Sequence, residues 1–232
     1  MQAQYLFEPA PIPALPVEGE AALFPVRRIF CVGRNYAAHA AEMGAEVDRD
    51  APWYFNKSAH ALCQSGARIP MPPETADCHY EMEFVVAIGA EAKRVTAADA
   101  LTVVFGYGSG IDLTRRDLQA VAKEKRRPWD LGKDFENAAI IGPLTPAGAF
   151  GEIAGQTLWL DHDDVRVQQA PLSDMVWSVP EIIADLSRFY TLLPGDLIMT
   201  GTPAGVGPVH PGSRLTGCID GLMPVEVTLA EG

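Results

Sequence analysis

A single mixed α+β domain, built on folded antiparallel or mixed sheets, is the fold class this sequence predicts. Strand-like segments outnumber helix-like ones, and the helices are not regularly interleaved with strands. No strand–helix junction carries the G-x-G-x-x-G pattern of dinucleotide binding, which argues against a doubly wound parallel sheet. With 232 residues the chain can bury a substantial core in one large domain, with or without a small appendage. No internal repeat or low-complexity tract divides it.

In chain order, the Pro-rich opening up to Glu20 reads as an irregular arm or edge strand, and the arm is assigned residues 1–23 and the domain 24–232. "RRIFCVG" (27–33) reads as a strand. "RNYAAHAAEMG" follows as a short helix, with Asn35 as N-cap and Gly44 as C-terminal stop. "APWYFNKSAHAL" is extended and then irregular. In "HYEMEFVVAIG" (79–89), alternation sends Tyr80, Met82, Phe84, Val86 and Ile88 to one face of a strand. The other face carries Glu81 and Glu83, then Val85 and Ala87, so two carboxylates stand side by side on an otherwise apolar segment.

Thr96, with Asp99 three residues on, caps a short helix that runs into a strand through Val103–Tyr107. Thr114 and Asp117 form a capping box that starts the helix "RRDLQAVAKEKR". "TLWLDHDDVRVQQ" is a β-hairpin with a polar turn. Ser178 and Glu181 make a second capping box, and Ile182, Ile183, Leu186, Phe189 and Tyr190 line one face of the helix that follows. "LIMTG" is a strand, and "TPAGVGPVHPG" is a Gly/Pro-rich loop.

Composition sets outer limits on function. Hydrophobic residues at 48% and charged residues at 21% fit a soluble globular chain. The net charge is −12 and the one basic cluster is the short "KEKRRP", so no nucleic-acid partner is expected. An anionic substrate would have to be received by local cations or a metal. No apolar run approaches a membrane span and the opening residues lack a charged-then-apolar signal pattern, so no membrane association is expected. Cys31, Cys63, Cys78 and Cys218 are scattered without a C-x-x-C; they read as reduced, packed residues of a cytoplasmic protein.

Three constellations could carry chemistry. On a strand, residues i and i+2 lie about 6.5–7 Å apart on one face, so Glu81 and Glu83 can converge on a hard cation such as Mg²⁺ or Mn²⁺. Read alone, the pair fits a strand with one solvated face better. Asp112, between a strand and a helix, adds a third carboxylate, and three can hold such an ion with positions left open for substrate and water. His39 and Glu42, at i and i+3, share a helix face, where the carboxylate can orient the imidazole as a general base for water; an ordinary surface pair has the same spacing. Flanking Gly33 and Gly44 would let that helix move as a lid.

The third set comprises Arg34, Lys57, Arg116, Gln119, Lys133 and Thr202. Arg116 and Gln119 share a helix face near Asp112. Lys133 stands among small and apolar residues, where an ammonium needs an anionic partner. Of the other histidines, His79 borders the glutamate pair as possible support, while His60, His162 and His210 sit in loop-like contexts as bystanders.

The order of these pieces carries a resemblance. "GRNYAAHAAEMG", "HYEMEFVVAIG", "GYGSGIDLTRRDLQ", "RPWDLGKDFENAAIIGP" and "SVPEIIADLSRFYTLLPGDLIMTGTPAGVGPV" together resemble the fumarylacetoacetate hydrolase family from about Phe24 onward. "FPVRRIFCVGRNYAAHA" and "LTRRDLQ…RPWDLGK" look most like its bacterial branch acting on fumarylpyruvate. The resemblance implies a mixed β-sheet roll with peripheral helices, a homodimer, and an Mg²⁺ or Mn²⁺ site whose ligands fall on Glu81, Glu83 and Asp112. It places a lid dyad on His39 and Glu42, substrate contacts on Arg116, Gln119 and Thr202, and the active-site lysine on Lys133. Two departures stand out: Lys57-Ser58 where such proteins commonly have Lys-Pro, and "DHDD" at a hairpin turn that often contains Asn-Gly.

The implied activity is metal-dependent hydrolysis of a carbon–carbon bond in a 2,4-diketo acid, fumarylpyruvate giving fumarate and pyruvate, as in gentisate-type aromatic degradation. Arg34, Arg116 and Lys57 are the candidates for the distal carboxylate. Acylpyruvate hydrolysis of other specificity and oxaloacetate decarboxylation are the alternatives within the fold. A non-catalytic carboxylate-binding protein is the alternative from another class.

Overall fold

The structure, a computed structural model, describes residues 4–44 and 46–230. Its centre is the segment Met82–Ile88, every residue of which is buried. The even-numbered side chains Met82, Phe84, Val86 and Ile88 pack into one core cluster. Val85 and Ala87 pack into a second cluster on the opposite face. A strand covered on both sides must be apolar on both sides, which explains why the run after Glu83 loses its polar alternation.

This strand sits in a mixed sheet whose order is Trp53–Lys57, Arg28–Gly33, Asp196–Met199, Met82–Ile88, Val104–Asp112, Ala139–Ile141 and Leu62–Gln64, with Thr145–Pro146 also paired to Val104–Asp112. The pairs Asp196–Met199/Arg28–Gly33 and Ala139–Ile141/Leu62–Gln64 are parallel, and the other pairs of the sheet are antiparallel. A second sheet runs Val165–Pro171, Thr157–His162, Arg214–Ile219, Val225–Ala230 and Ala67–Pro70. Its inner residues Leu158, Leu160, Leu215, Val225 and Val227 join the cluster that receives Met82 and Phe84. The two sheets therefore enclose one core, with short helices at the periphery, which is the expected mixed sheet architecture.

The hairpin predicted around "DHDD" forms, and Asp163 and Asp164 both adopt positive φ (50° and 66°). That is the backbone of a two-residue hairpin turn, which Asp tolerates through its short polar side chain. The Ser178/Glu181 capping box is present, with the Ser178 N–H donating to Glu181 at 2.8 Å ahead of the helix Val179–Phe189. Leu15 and Val17 are buried in the second cluster, and Ala14–Leu15 pairs with Phe24–Pro25, so residues on both sides of position 24 share one core.

Two caps differ from expectation. The helix Ala37–Glu42 begins after Tyr36, with no side-chain cap. Asn35 instead braces the segment from below: its amide donates to the carbonyls of Trp177 (3.0 Å) and Thr200 (2.8 Å), and its oxygen accepts from the Trp177 N–H. The helix Arg116–Glu124 likewise lacks a side-chain cap. Asp117 turns to Thr75 Oγ1 (2.7 Å) and the Ala76 N–H (2.9 Å), while Thr114 Oγ1 accepts from Lys133. In both cases a tertiary partner outcompeted the local cap. The short helix expected after Thr96 is a single 3₁₀ turn, Ala100–Val103.

Candidate active site

Antiparallel pairing sets Met82 opposite Ile111 and Glu83 opposite Gly110, and the Asp112 N–H donates to the Glu81 carbonyl at 2.8 Å. This register brings a carboxylate oxygen from each of Glu81, Glu83 and Asp112 within 4.8 Å of one another, all three residues buried. Like charges that close in a dry site need compensation.

Much of that compensation comes from three cations. Lys133 Nζ donates to Glu81 Oε2 (2.7 Å), Asp112 Oδ2 (2.8 Å) and Thr114 Oγ1 (2.7 Å). The Arg116 guanidinium bonds Glu81 Oε1 at 2.6 Å and Gln119 Oε1 at 2.9 Å. Lys57 Nζ lies 2.9 Å from Asp112 Oδ1 and donates to the main-chain oxygens of Leu113 and Lys133. Gly132 lets the short helix carrying Lys133 lie against the Arg116 helix, because a Cβ there would come within 3.0–3.1 Å of Gln119.

The titration of the three carboxyls is set by this asymmetry. Burial alone would raise the Glu81 carboxyl, but Lys133 and Arg116 outweigh it and hold Glu81 well below the usual carboxylate range. Lys133 is pushed up despite burial, because Asp112 and Glu81 favour its charged form. Glu83 is the exception. Its Oε2 accepts one hydrogen bond, from the Gly201 N–H at 2.6 Å, and no described lysine or arginine forms an ion pair with it. Burial, then Asp112 and Glu81, push its carboxyl well above the normal value. Gly201 reaches it with φ of 100°, a conformation that suits glycine.

Glu81, Glu83, Arg116 and Lys133 line a cavity of about 40 Å³ together with Gly33, Arg34, His39, Met43, Trp53, Phe55, Gln119, Lys123, Trp129 and Thr202. His39 Nδ1 lies 3.2 Å from Glu42 Oε2, and the Glu42 carboxylate also accepts from the Gly205 N–H at 3.1 and 3.3 Å, tying the helix Ala37–Glu42 to the loop after Thr202. With Nδ1 donating to Glu42, Nε2 is the basic nitrogen. Thr202 Oγ1 accepts from Gln168 Nε2 at 2.9 Å, leaving its own proton to donate.

Of the eleven residues expected from the sequence, eight line this cavity: Arg34, His39, Glu81, Glu83, Arg116, Gln119, Lys133 and Thr202; Asp112 is absent from the lining and stands behind it, grouped with Glu81 and Glu83 in the acidic triad. Glu42 acts from behind His39. Lys57 differs from expectation: it is 2% exposed and sits beneath Asp112, absent from the lining. The Ser58 N–H, which a proline would lack, donates to Asp134 Oδ1 at 2.8 Å and closes the loop beside it. His79 bonds Asp77 at 2.8 Å, and burial and Arg116 lower its pKa. His60, His162 and His210 lie outside the lining.

Lys123, Trp53 and Trp129 also line the cavity and were not singled out as site residues. Lys123 completes the row Arg116, Gln119, Lys123 at i, i+3 and i+7, a spacing visible in the sequence. Its ammonium lies 5.0 Å from the Trp129 ring centroid, and burial, Arg116 and Arg34 push its pKa down to about 8. Arg34 lies 4.9 Å over Trp53, and the two indoles meet edge to face at 4.1 Å. Neither cation forms an ion pair with a described carboxylate. No local sequence pattern announces the Trp53/Trp129 pair, which the tertiary fold brings together.

The donor set fits a hard divalent cation. All three ligands are carboxylates, Asp112 Oδ1 is buried without an aligned hydrogen bond, and Glu83 lacks a counter-ion among the described residues.

The model of the fumarylacetoacetate hydrolase C-terminal domain matches residues 28–230. The chain is 43% identical over 190 residues to a fumarylpyruvate hydrolase of a Ralstonia species, covering 81% of this chain and 98% of that one. It is 37% identical over 205 residues to an oxaloacetate tautomerase of Escherichia coli (strain K12), covering 88% and 93%. Among solved structures, the fumarylpyruvate hydrolase from Pseudomonas aeruginosa in complex with Mn²⁺ and pyruvate superposes with a TM-score of 0.94 at 42% identity, covering 99% of this chain and 100% of that one.

Proposed function

The chain belongs to the fumarylacetoacetate hydrolase family, and on that footing we propose that it hydrolyses the carbon–carbon bond of a 2,4-diketo acid, fumarylpyruvate, to fumarate and pyruvate. The observation that carries this reading is the buried triad of Glu81, Glu83 and Asp112 facing the His39–Glu42 dyad across one cavity. Relatives that are fumarylpyruvate hydrolases at 42–43% identity support the acyl group.

Glu81, Glu83 and Asp112 would hold Mg²⁺ or Mn²⁺, which when bound supplies Lewis-acid polarisation to the 2-oxo acid end of the substrate. His39 Nε2 takes a proton from water, and Glu42 holds the imidazole through Nδ1 and stabilises its charged form. The water oxygen adds to the carbonyl beside the double bond. The bond between that carbonyl carbon and the neighbouring methylene then breaks, its electron pair passing to the pyruvyl half. The proton on His39 completes pyruvate, and the hydrated carbonyl leaves as the new carboxyl group of fumarate, which gives the second water proton to solvent. The three ammonium protons of Lys133 are committed to Glu81, Asp112 and Thr114, so its charge acts on the leaving half through space. Arg116, Gln119 and the Thr202 hydroxyl orient the substrate. Lys57 holds Asp112 rather than touching substrate.

The helix Ala37–Glu42, which carries His39 into the cavity lining, is the lid in this reading. Asn35 anchors the chain ahead of it, and Gly44 with φ of 67° ends it. The proposed setting is the cytoplasm, in aromatic catabolism, with the chain acting as a homodimer; no described helix is long and apolar enough to cross a membrane.

The test is to follow the loss of diketo-acid absorbance for fumarylpyruvate, acetylpyruvate and oxaloacetate, with and without Mg²⁺ or Mn²⁺. Metal-dependent turnover fastest on fumarylpyruvate supports the reading; turnover that survives full chelation contradicts it. Oxaloacetate chemistry is the second reading, favoured by the 37% identity to an oxaloacetate tautomerase.

A further inference from the structure

The mouth of the cavity carries positive charge that the fold leaves unanswered. Arg34 and Lys123 both line it, each over the face of an indole, and neither meets a carboxylate among the described residues. Every other cation in the lining has an anionic partner: Arg116 has Glu81, and Lys133 has Glu81 and Asp112. A half-buried ammonium with two guanidinium neighbours and no counter-ion is poorly placed for the free protein. Arg34 is held there at some conformational expense, with φ of 58° in the left-handed region that a side chain disfavours. An anion at the mouth would supply the counter-charge that both cations lack among the described residues.

We infer that Lys123 and Arg34, seated on the Trp53/Trp129 pair, form the subsite for the substrate's second carboxylate and set the preference for a dicarboxylic over a monocarboxylic diketo acid. The inference rests on the proposed hydrolase reading for the identity of the substrate. It adds Lys123 and the two indoles, and it releases Lys57 from that task. In this assignment the 2-oxo acid end faces the triad, and the far carboxylate faces the two cations that line the same cavity beside Trp53 and Trp129. Indoles suit a planar conjugated segment, and their negative faces hold the cations in place until the anion arrives.

Two measurements on the full-length, Mn²⁺-loaded protein test this. In the first, KM is compared for fumarylpyruvate and for acetylpyruvate, which lacks the second carboxylate. K123Q should lose roughly 10- to 100-fold more on fumarylpyruvate than on acetylpyruvate, the scale of a hydrogen bond to a charged group, and K123R should recover most of the difference. Equal losses on the two substrates would overturn the assignment. In the second, the two products serve as non-reacting ligands in calorimetry. K123Q and R34Q should weaken fumarate about tenfold or more while weakening pyruvate much less. Fumarate binding that is unchanged, or that falls in step with pyruvate, would refute the subsite. Failure of the hydrolase reading appears separately, as wild-type protein that turns over no diketo acid. In that event the fumarate comparison alone decides the subsite.

Discussion

At the floor of the cavity three carboxylates meet three cations, whereas at its mouth two cations meet no carboxylate among the described residues. The floor is nevertheless not balanced group by group. Lys133, Lys57 and Arg116 all point at Glu81 and Asp112, and Glu83 is left with a single main-chain N–H. Each region thus has a local surplus, negative at Glu83 and positive at Arg34 and Lys123. A protein that buries charge without a partner does so at a cost in stability. The sign of each surplus names the ligand that removes it: a cation at the floor and a carboxylate at the mouth.

The largest effect should come from cutting into the balanced part of the floor. Asp112→Ala leaves Lys57 and Lys133, both 2% exposed, without that partner. Breaking a buried ion pair in this way should cost about 3–5 kcal/mol, read as a fall in the urea midpoint, and should abolish turnover. A variant of wild-type stability would mean that Lys57 and Lys133 do not depend on Asp112. Next comes the dyad. His39→Ala should lower kcat for diketo-acid hydrolysis by roughly 10²- to 10⁴-fold, the scale of a general base. Decarboxylation of oxaloacetate, which needs no activated water, should fall far less; comparable losses in both would remove His39 from water activation.

Glu83→Gln sharpens the comparison through pH. The raised carboxyl means the metal-free fold binds this proton more tightly than the unfolded chain does. Its contribution to stability is therefore fully present below the ordinary carboxylate pKa and is lost as pH rises from there through the raised value. Metal-free wild type should lose thermal stability over that interval and E83Q should not, so the difference in Tm should widen with pH in scanning fluorimetry with chelator. Parallel curves would show that Glu83 ionises without penalty. The smallest effect is expected at the mouth. Arg34→Gly should change stability by no more than about 1 kcal/mol, because relief of the left-handed backbone offsets the greater freedom of an unfolded glycine. It should still weaken fumarate.

Much of the floor was legible in the sequence because strand geometry enforces it. Glu81 and Glu83 share a face by alternation, and Asp112 stands where a strand ends, so the pairing of two neighbouring strands suffices to bring them together. His39 and Glu42 follow from one helical turn. The mouth was not legible in the same way. Trp53 and Trp129 are far apart in sequence and meet only when the short helix Asp130–Lys133 lies against the Trp53–Lys57 strand. Lys57 was misjudged because its sequence neighbours do not reveal that its side chain runs beneath Asp112 rather than into the cavity. Asn35 and Thr114 were read as helix caps, from patterns that are sound locally; contacts with Trp177 and Lys133, distant in the chain, claimed their side chains instead.

The central claim is that Glu83 is the carboxylate left open for a divalent ion. Calorimetric titration of Mn²⁺ into metal-free wild type and E83Q at neutral pH tests it directly. One site per chain in the wild type, with protons released on binding, and no measurable site in E83Q is the expected result. Equal Mn²⁺ affinity in the two proteins, or binding without proton release, would contradict it.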